Sequence, residues 1–212
     1  MQRLTATEAS RRFSDLLDAV ETRGETFVVV RRGKAVATVS PAARATGTRL
    51  KEVLRRNPPD ARVGRGASRA PGLARAGYGP VERLILDTSV LVAVERRSDA
   101  IEELIGDEDD VAIAAVTAAE LLVGVERAED RHRPRRAGFV ADVLESVVLV
   151  PYDLGVARAH AALLVHAQRA GSPRRAHDLI IAATGAATAR TVLTADAAGV
   201  DDLPGVRVRV VG

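Results

Sequence analysis

The chain contains no cysteine and no tryptophan, and Phe, Tyr and Trp together make up only 2% of its 212 residues. Without thiols there is no disulfide framework, no thiolate metal site and no cysteine nucleophile, and the chain suits a reducing compartment. With so few aromatics, any core must be built from Ala, Val, Leu and Ile. The apolar fraction of 47% is enough for that and excludes wholesale disorder. No apolar run approaches the ~20 residues that a membrane span needs. The opening stretch from Met1 meets an acid by Glu8 and so reads as neither a secretory signal nor a transit peptide. The cytoplasm is the expected location.

Charge is unevenly spread. Residues 1–80 hold 16 Lys and Arg against 7 Asp and Glu, whereas residues 81–212 hold 15 against 21. A basic part of +9 and an acidic part of −6 share one chain. Such a split points to a nucleic-acid-facing module and to attraction between the two parts.

Residues 1–41 read as a compact α+β unit. Thr5-Ala6-Thr7-Glu8 has the pattern of a capping box. The helix that follows places Ala9, Phe13, Leu16, Leu17 and Val20 on one face at a 3.6-residue period, and Gly24 supplies its stop. Phe27 to Val30 and Ala35 to Val39 form a hairpin around Arg31-Arg32-Gly33-Lys34. Residues 42–80 follow as an arm and linker. Residues 48–56 suit a short amphipathic helix presenting Leu50, Val53 and Leu54, which is expected to dock on an apolar groove of the following domain. Asn57-Pro58-Pro59 ends it. Pro58 to Pro80 holds four Pro, five Gly and four Arg with Asp60 its one acid, too little apolar surface to order alone.

From residue 81 to the end, apolar runs alternate with helical patterns. Leu84 to Leu86, Val111 to Ala114, Val147 to Val150, Thr191 to Leu193 and Val206 to Val210 are the expected strands of an α/β domain with a largely parallel sheet. Ligands of such sheets bind beyond the carboxyl ends of the strands. Four acids are expected there: Asp87 directly after the first strand, Glu120 after the second, Asp178 at the start of an apolar helix, and Asp196 after Thr191 to Leu193. Each has a plain alternative. Asp87, Asp178 and Asp196 suit caps or turns, and Thr117-x-x-Glu120 is itself a capping-box pattern. Together, four carboxylates on one sheet edge would repel unless a divalent cation sat among them. Oxygen-only ligands favour Mg²⁺ or Mn²⁺. The four His residues show no zinc spacing, and His177 reads as a hydrogen-bonding neighbour of Asp178. A Rossmann nucleotide site is set aside, because Asp87-Thr88-Ser89 stands where its Gly-rich turn belongs.

Leu84-Ile85-Leu86-Asp87-Thr88-Ser89, Val116-Thr117-Ala118-Ala119-Glu120-Leu121, Ala176-His177-Asp178-Leu179-Ile180-Ile181-Ala182-Ala183 and Leu193-Thr194-Ala195-Asp196 resemble, in order and spacing, a VapC-type PIN-domain toxin over residues 83–212. That resemblance implies a metal-dependent endoribonuclease. Asp87, Glu120, Asp178 and Asp196 would be its acidic catalytic and metal site, Ser89 and Thr194 its supporting hydroxyls, and Mg²⁺ or Mn²⁺ its cofactor. The first forty residues resemble a Phd/YefM-type antitoxin, which implies dimerisation and binding to operator DNA. Ser10 stands where that family often has an Arg, so the phosphate contacts shift to Arg11, Arg12, Arg31, Arg32 and Lys34. Joined in one polypeptide, the two imply a nuclease restrained by its own arm, with Arg62, Arg65, Arg69 or Arg75 pairing with the carboxylates. The competing reading is a DNA-binding autorepressor whose nuclease domain is permanently silenced. The expected partners are an RNA substrate, operator DNA and further copies of the chain.

Overall fold

The computed structural model describes residues 2–40, 45–57, 81–96 and 104–211, without the side chains of 94–96. Arg62, Arg65, Arg69 and Arg75 lie outside the described residues. The chain divides into two compact units, Met1–Ala43 and Arg44–Gly212.

In the smaller unit, β1 (Gln2–Thr5) leads into α1 (Ala6–Arg11) and α2 (Phe13–Arg23), followed by the hairpin β2 (Phe27–Arg31) and β3 (Lys34–Val39). The sheet is mixed, with β2 central, parallel to β1 and antiparallel to β3. The capping box is fully formed: the Thr5 hydroxyl accepts from the Glu8 amide, and the Glu8 carboxylate accepts from the Thr5 amide at 2.8 Å. The hairpin turn places Arg32 at φ 51° and Gly33 at φ 78°, the paired left-handed residues of a two-residue loop matched to strand twist. Gly24, at φ 64°, ends α2 as expected.

One expectation for this unit fails. The single helix is two, broken at Arg12 (φ −123°, ψ 35°). The break changes the phase of the second helix, so Leu16, Ala19 and Val20 join Ala9 and Phe27 in the core. Phe13 and Leu17 turn outward, at 54% and 43% exposure.

The larger unit is an α/β domain built on a five-stranded, all-parallel sheet. Its elements are α3 (Gly47–Arg56), β4 (Arg83–Leu86), α4 (Thr88–Arg96), β5 (Asp110–Ala114), α5 (Ala115–Glu126), α6 (Arg133–Ser146), β6 (Val148–Val150), α7 (Leu154–Arg169), α8 (Ala176–Ala187), β7 (Thr191–Thr194), a 3₁₀ turn at Ala197–Gly199 and β8 (Arg207–Val210). The strand order is β6-β5-β4-β7-β8. Successive strands run outward one way from β4 and then restart on its other side. The order therefore reverses beside β4, where open α/β sheets place their ligands.

The strands are short and aliphatic because both faces of the sheet are covered. Leu84 and Leu86 point to one face and pack with Val111, Ile113, Leu121, Phe139 and Val143. Ile85 points to the other, with Ala114, Ile181 and Val192. Beyond it, α7 and α8 share Val156, Leu163, Leu179, Ala182 and Ala183. At the amino ends of the strands, the buried Arg190 guanidinium donates to the carbonyls of Leu84 and Asp110 and to the Asp110 carboxylate at 2.8 Å.

α3 packs within this larger unit. Leu50, Val53 and Leu54 are buried in the same cluster as Leu84, Phe139 and Val140. The chain enters α3 along the start of β5, where the Val111 amide donates to the Ala45 carbonyl at 2.8 Å. Lys51 Nζ pairs with Asp107 Oδ1 at 2.7 Å. Gly47 is required by close approach, since a Cβ there would stand 2.0 Å from the Gly106 carbonyl oxygen.

Candidate active site

Asp87 leaves the carboxyl end of the central strand β4, its amide donating to the Leu193 carbonyl of β7 at 2.9 Å. Its Oδ2 accepts two hydroxyls, from Ser89 and Thr194, each at 2.6 Å. Thr194 Oγ1 also accepts the Asp196 amide at 3.0 Å, which ties the turn after β7 to Asp87. Asp196 in turn caps the 3₁₀ turn by accepting from the Ala198 amide at 3.2 Å. Arg174 holds the same loop through the carbonyls of Ala198 and Asp201.

Glu120 lies inside α5, not at its cap. α5 begins at Ala115 with Ala114 as its N-cap residue, so the capping box that is the alternative reading of Thr117 and Glu120 does not form. Thr117 is buried instead, and its Oγ1 has no hydrogen-bond partner among the described residues. Glu120 projects toward two neighbours of the other acids: the Thr88 hydroxyl donates to its Oε2, and His177 Nδ1 lies 2.6 Å from its Oε1. His177 thus is a hydrogen-bonding neighbour, as its place beside Asp178 suggested, although the acid it engages is Glu120.

Asp178 sits in the first turn of α8. Arg175, the N-cap residue of that helix, places Nε 2.9 Å from Asp178 Oδ2 and Nη2 2.9 Å from Asp196 Oδ2. Hydrogen bonding to Asp178 and its charge, with Asp196 adding to both, hold the Arg175 guanidinium above its ordinary pKa. Asp178 and Asp196 therefore share one guanidinium. Asp87 is tied to Asp196 through Thr194, and Glu120 is bonded to Thr88 and His177, the chain neighbours of Asp87 and Asp178. Sequence reasoning missed Thr88, Arg174 and Arg175. Only the i, i+3 spacing of Arg175 and Asp178 signalled the contact.

The four carboxylates offer oxygen ligands alone, the set that hard divalent cations take. Asp178 packs closely on Gly199, where a Cβ would stand 2.5 Å from Asp178 Oδ2. Positive charge already sits between Asp178 and Asp196. Among the described residues, however, no three His, Asp or Glu side chains are gathered tightly enough to hold a cation as they stand. Each acid is held by its own partners, and the donor set, oxygen alone, is the chemistry that Mg²⁺ or Mn²⁺ takes.

In the smaller unit, Arg11 ends α1, Arg12 occupies the helix break with Nε 3.1 Å from Asp15, and Arg31, Arg32 and Lys34 cluster at the hairpin turn. All five are exposed. Among the described residues, no helix is long and apolar enough to cross a membrane.

Comparison with known proteins agrees with this architecture. The PIN domain family matches residues 84–203, more than half of the chain. Ribonuclease VapC5 of Mycobacterium tuberculosis is 40% identical over 113 residues, covering 53% of this chain and 82% of that protein. Ribonuclease VapC of Rickettsia bellii is 27% identical over 129 residues, covering 60% and 96%. The crystal structure of VapBC-5 from M. tuberculosis, a member of the VapBC family of toxin-antitoxin systems, superposes with a TM-score of 0.52 at 36% identity over 61% of this chain and 98% of that one. VapBC2 from Rickettsia felis, bound to a DNA fragment from its promoter, gives a TM-score of 0.57 at 18% identity over 61% and 99%, a likeness of fold. With its parallel sheet, its acids at the carboxyl edge and these relatives, the chain belongs to the PIN domain family and is related to the VapC ribonucleases of toxin-antitoxin systems.

Proposed function

We propose that the chain is a toxin and antitoxin in one polypeptide: a divalent-metal-dependent endoribonuclease of residues 81–212, restrained by its own residues 42–80 and joined to an operator-binding, Phd/YefM-like unit of residues 1–41. The observation that carries the nuclease reading is the set of Asp87, Glu120, Asp178 and Asp196 at the carboxyl edge of the sheet, in a chain related to ribonucleases. Asp87, Glu120, Asp178 and Asp196 would hold Mg²⁺ or Mn²⁺. Such an ion, when bound, supplies an activated water and charge stabilisation for the attacked phosphate.

The chain's own groups do the rest. Ser89 and Thr194 fix the Asp87 carboxylate by donating to one oxygen, which leaves its orientation set before any ligand arrives. His177 and Thr88 hold Glu120 in the same way. The substrate is RNA, and no protein nucleophile takes part.

Restraint is supported by charge and by covalent attachment. Residues 42–80 carry nine basic residues with Glu52 and Asp60 as their acids, and the domain that follows is acidic. Attachment gives such a segment a high effective concentration at the domain it faces. The docked α3 favours the second reading as well, a DNA-binding autorepressor whose nuclease domain is permanently silenced. In either case the N-terminal unit would bind DNA as a dimer.

The test compares RNA cleavage at saturating Mg²⁺ by the intact chain and by a variant with Arg62, Arg65, Arg69 and Arg75 all changed to Ala, which leaves α3 in place. Faster cleavage by the variant, lost again on adding Asp87→Asn, supports restraint by the arm. Equal cleavage makes residues 58–80 a tether, and no cleavage by either favours the silenced autorepressor.

A further inference from the structure

We propose that Arg175 is a built-in counter-cation of the acidic site: its guanidinium and a divalent ion take Asp178 and Asp196 in turn, so that the ion enters only as Arg175 swings out. This rests on the metal-site reading above and adds a residue from within the nuclease domain itself.

The geometry is that of a bridging cation. Arg175 reaches one carboxylate three residues ahead on its own helix and another 21 residues away, beyond β7. Both contacts are 2.9 Å, within the charge-assisted range. The Asp178 side chain is only 16% exposed, so without a cation it would face Asp196 across a partly desolvated gap. Arg175 itself is 72% exposed.

Its neighbours are committed elsewhere. His177 is bonded to Glu120, and Arg174 to the carbonyls of Ala198 and Asp201. The loop carrying Asp196 therefore stays anchored through Arg174 and Thr194 when Arg175 departs. What changes is the charge between the two acids, from a single spread positive charge to a compact double one.

The experiment titrates Mn²⁺ alone into the intact chain without RNA, following free Mn²⁺ by paramagnetic resonance, for wild type, Arg175→Ala and Arg175→Lys. Asp87→Asn serves as a control in both the wild-type and Arg175→Ala backgrounds, and each protein is melted with and without Mn²⁺. Removing the competitor should tighten Mn²⁺ binding about two- to fivefold in Arg175→Ala, the range that an exposed ion pair sustains. Arg175→Lys should fall between, because an ammonium engages one carboxylate more readily than two. Metal-free Arg175→Ala should melt below wild type and gain more from Mn²⁺ than wild type does.

Unchanged or weaker Mn²⁺ binding by Arg175→Ala would show a permanent staple and overturn the proposal while leaving the metal site standing. Absence of Mn²⁺ binding in both wild type and Arg175→Ala that persists when Arg62, Arg65, Arg69 and Arg75 are also changed to Ala, or binding that survives Asp87→Asn in both backgrounds, would overturn the metal-site reading and this inference together.

Discussion

Thr194 and Asp87, 107 residues apart in sequence, meet in a 2.6 Å hydrogen bond at the junction of β7 and β4. The same Thr194 oxygen accepts the Asp196 amide, so one buried hydroxyl sets two of the four acids. Parallel pairing makes this possible: Leu86 lies opposite Leu193, which brings the residues after both strands to the same edge.

Asp87→Asn should therefore preserve the fold and abolish divalent-dependent cleavage, because the amide keeps the shape and loses the charge. Thr194→Val should do something different. It leaves a partly buried amide and carboxylate without their shared partner, at a cost of about 1 to 3 kcal/mol in stability, and lowers cleavage without abolishing it. Thermal melts and RNA cleavage in the background lacking the four arm arginines check both. Cleavage by Asp87→Asn at the parent rate would remove Asp87 from the site.

The fold was legible wherever local pattern coincided with burial on both sides. All five strands of the larger sheet were marked by aliphatic runs, and Thr5, Gly24 and the Arg32-Gly33 turn by their backbone chemistry. The break at Arg12 was not legible, since Phe13 and Leu17 continue the helical period in sequence and only the change of axis turns them outward. Thr117 looked like a cap because its spacing to Glu120 is right. The helix starts three residues earlier than such a cap would place it, however, directly at the end of β5. Arg175 shows the limit most clearly. Half of its bridge is an i, i+3 neighbour, and the other half exists only because α8 and the turn after β7 meet in three dimensions.

Acid should loosen the attachment of α3. Lys51 donates to Asp107 and, by that bond and its charge, lowers the Asp107 pKa below its ordinary value. A carboxylate depressed on folding adds stability that is present above its unfolded pKa, about 4, and is lost as pH falls through the folded value. Melting temperatures of wild type and Lys51→Gln should accordingly differ at neutral pH and converge below about pH 4. Because Asp107 is largely exposed, the difference should also shrink in high salt. A gap between the two proteins that is unchanged at pH 3 would assign the effect of Lys51 to packing of its stem.

If the smaller unit binds DNA through its basic turn, affinity for duplex DNA should fall steeply with salt. Arg31→Gln together with Arg32→Asn should flatten the plot of log affinity against log salt by about 0.9 for each phosphate that is no longer neutralised. Asn is chosen at position 32 because the residue there lies in the left-handed region, at φ 51°, which Asn tolerates better than most. A slope that stays the same in this variant would place the phosphate contacts elsewhere, on Arg11, Arg12 or Lys34.

The position of α3 yields the final prediction. Leu50 is fully buried, and Val53 and Leu54 are nearly so, in a cluster whose other members come from the sheet, from α4, α5 and α6, and from Ile105 ahead of β5. Asn57, at the end of α3, donates to Asp142 Oδ2 of α6 at 2.9 Å. Leu50→Ala should then lower the stability of the larger unit by about 2 to 5 kcal/mol, the cost of deleting a core leucine. Gly47→Ala should also destabilise it, since the added methyl would strike the backbone at Gly106. A fragment beginning at residue 81 would lack α3 and expose the parts of α6 and β5 that it packs against. A fragment beginning at residue 44 keeps them covered. The longer fragment should melt cooperatively near the temperature of the intact chain, and the shorter one should melt lower or aggregate. Equal melting of the two fragments, with Leu50→Ala shifting neither the intact chain nor the longer fragment, would mean that α3 rests on the domain without being part of its core.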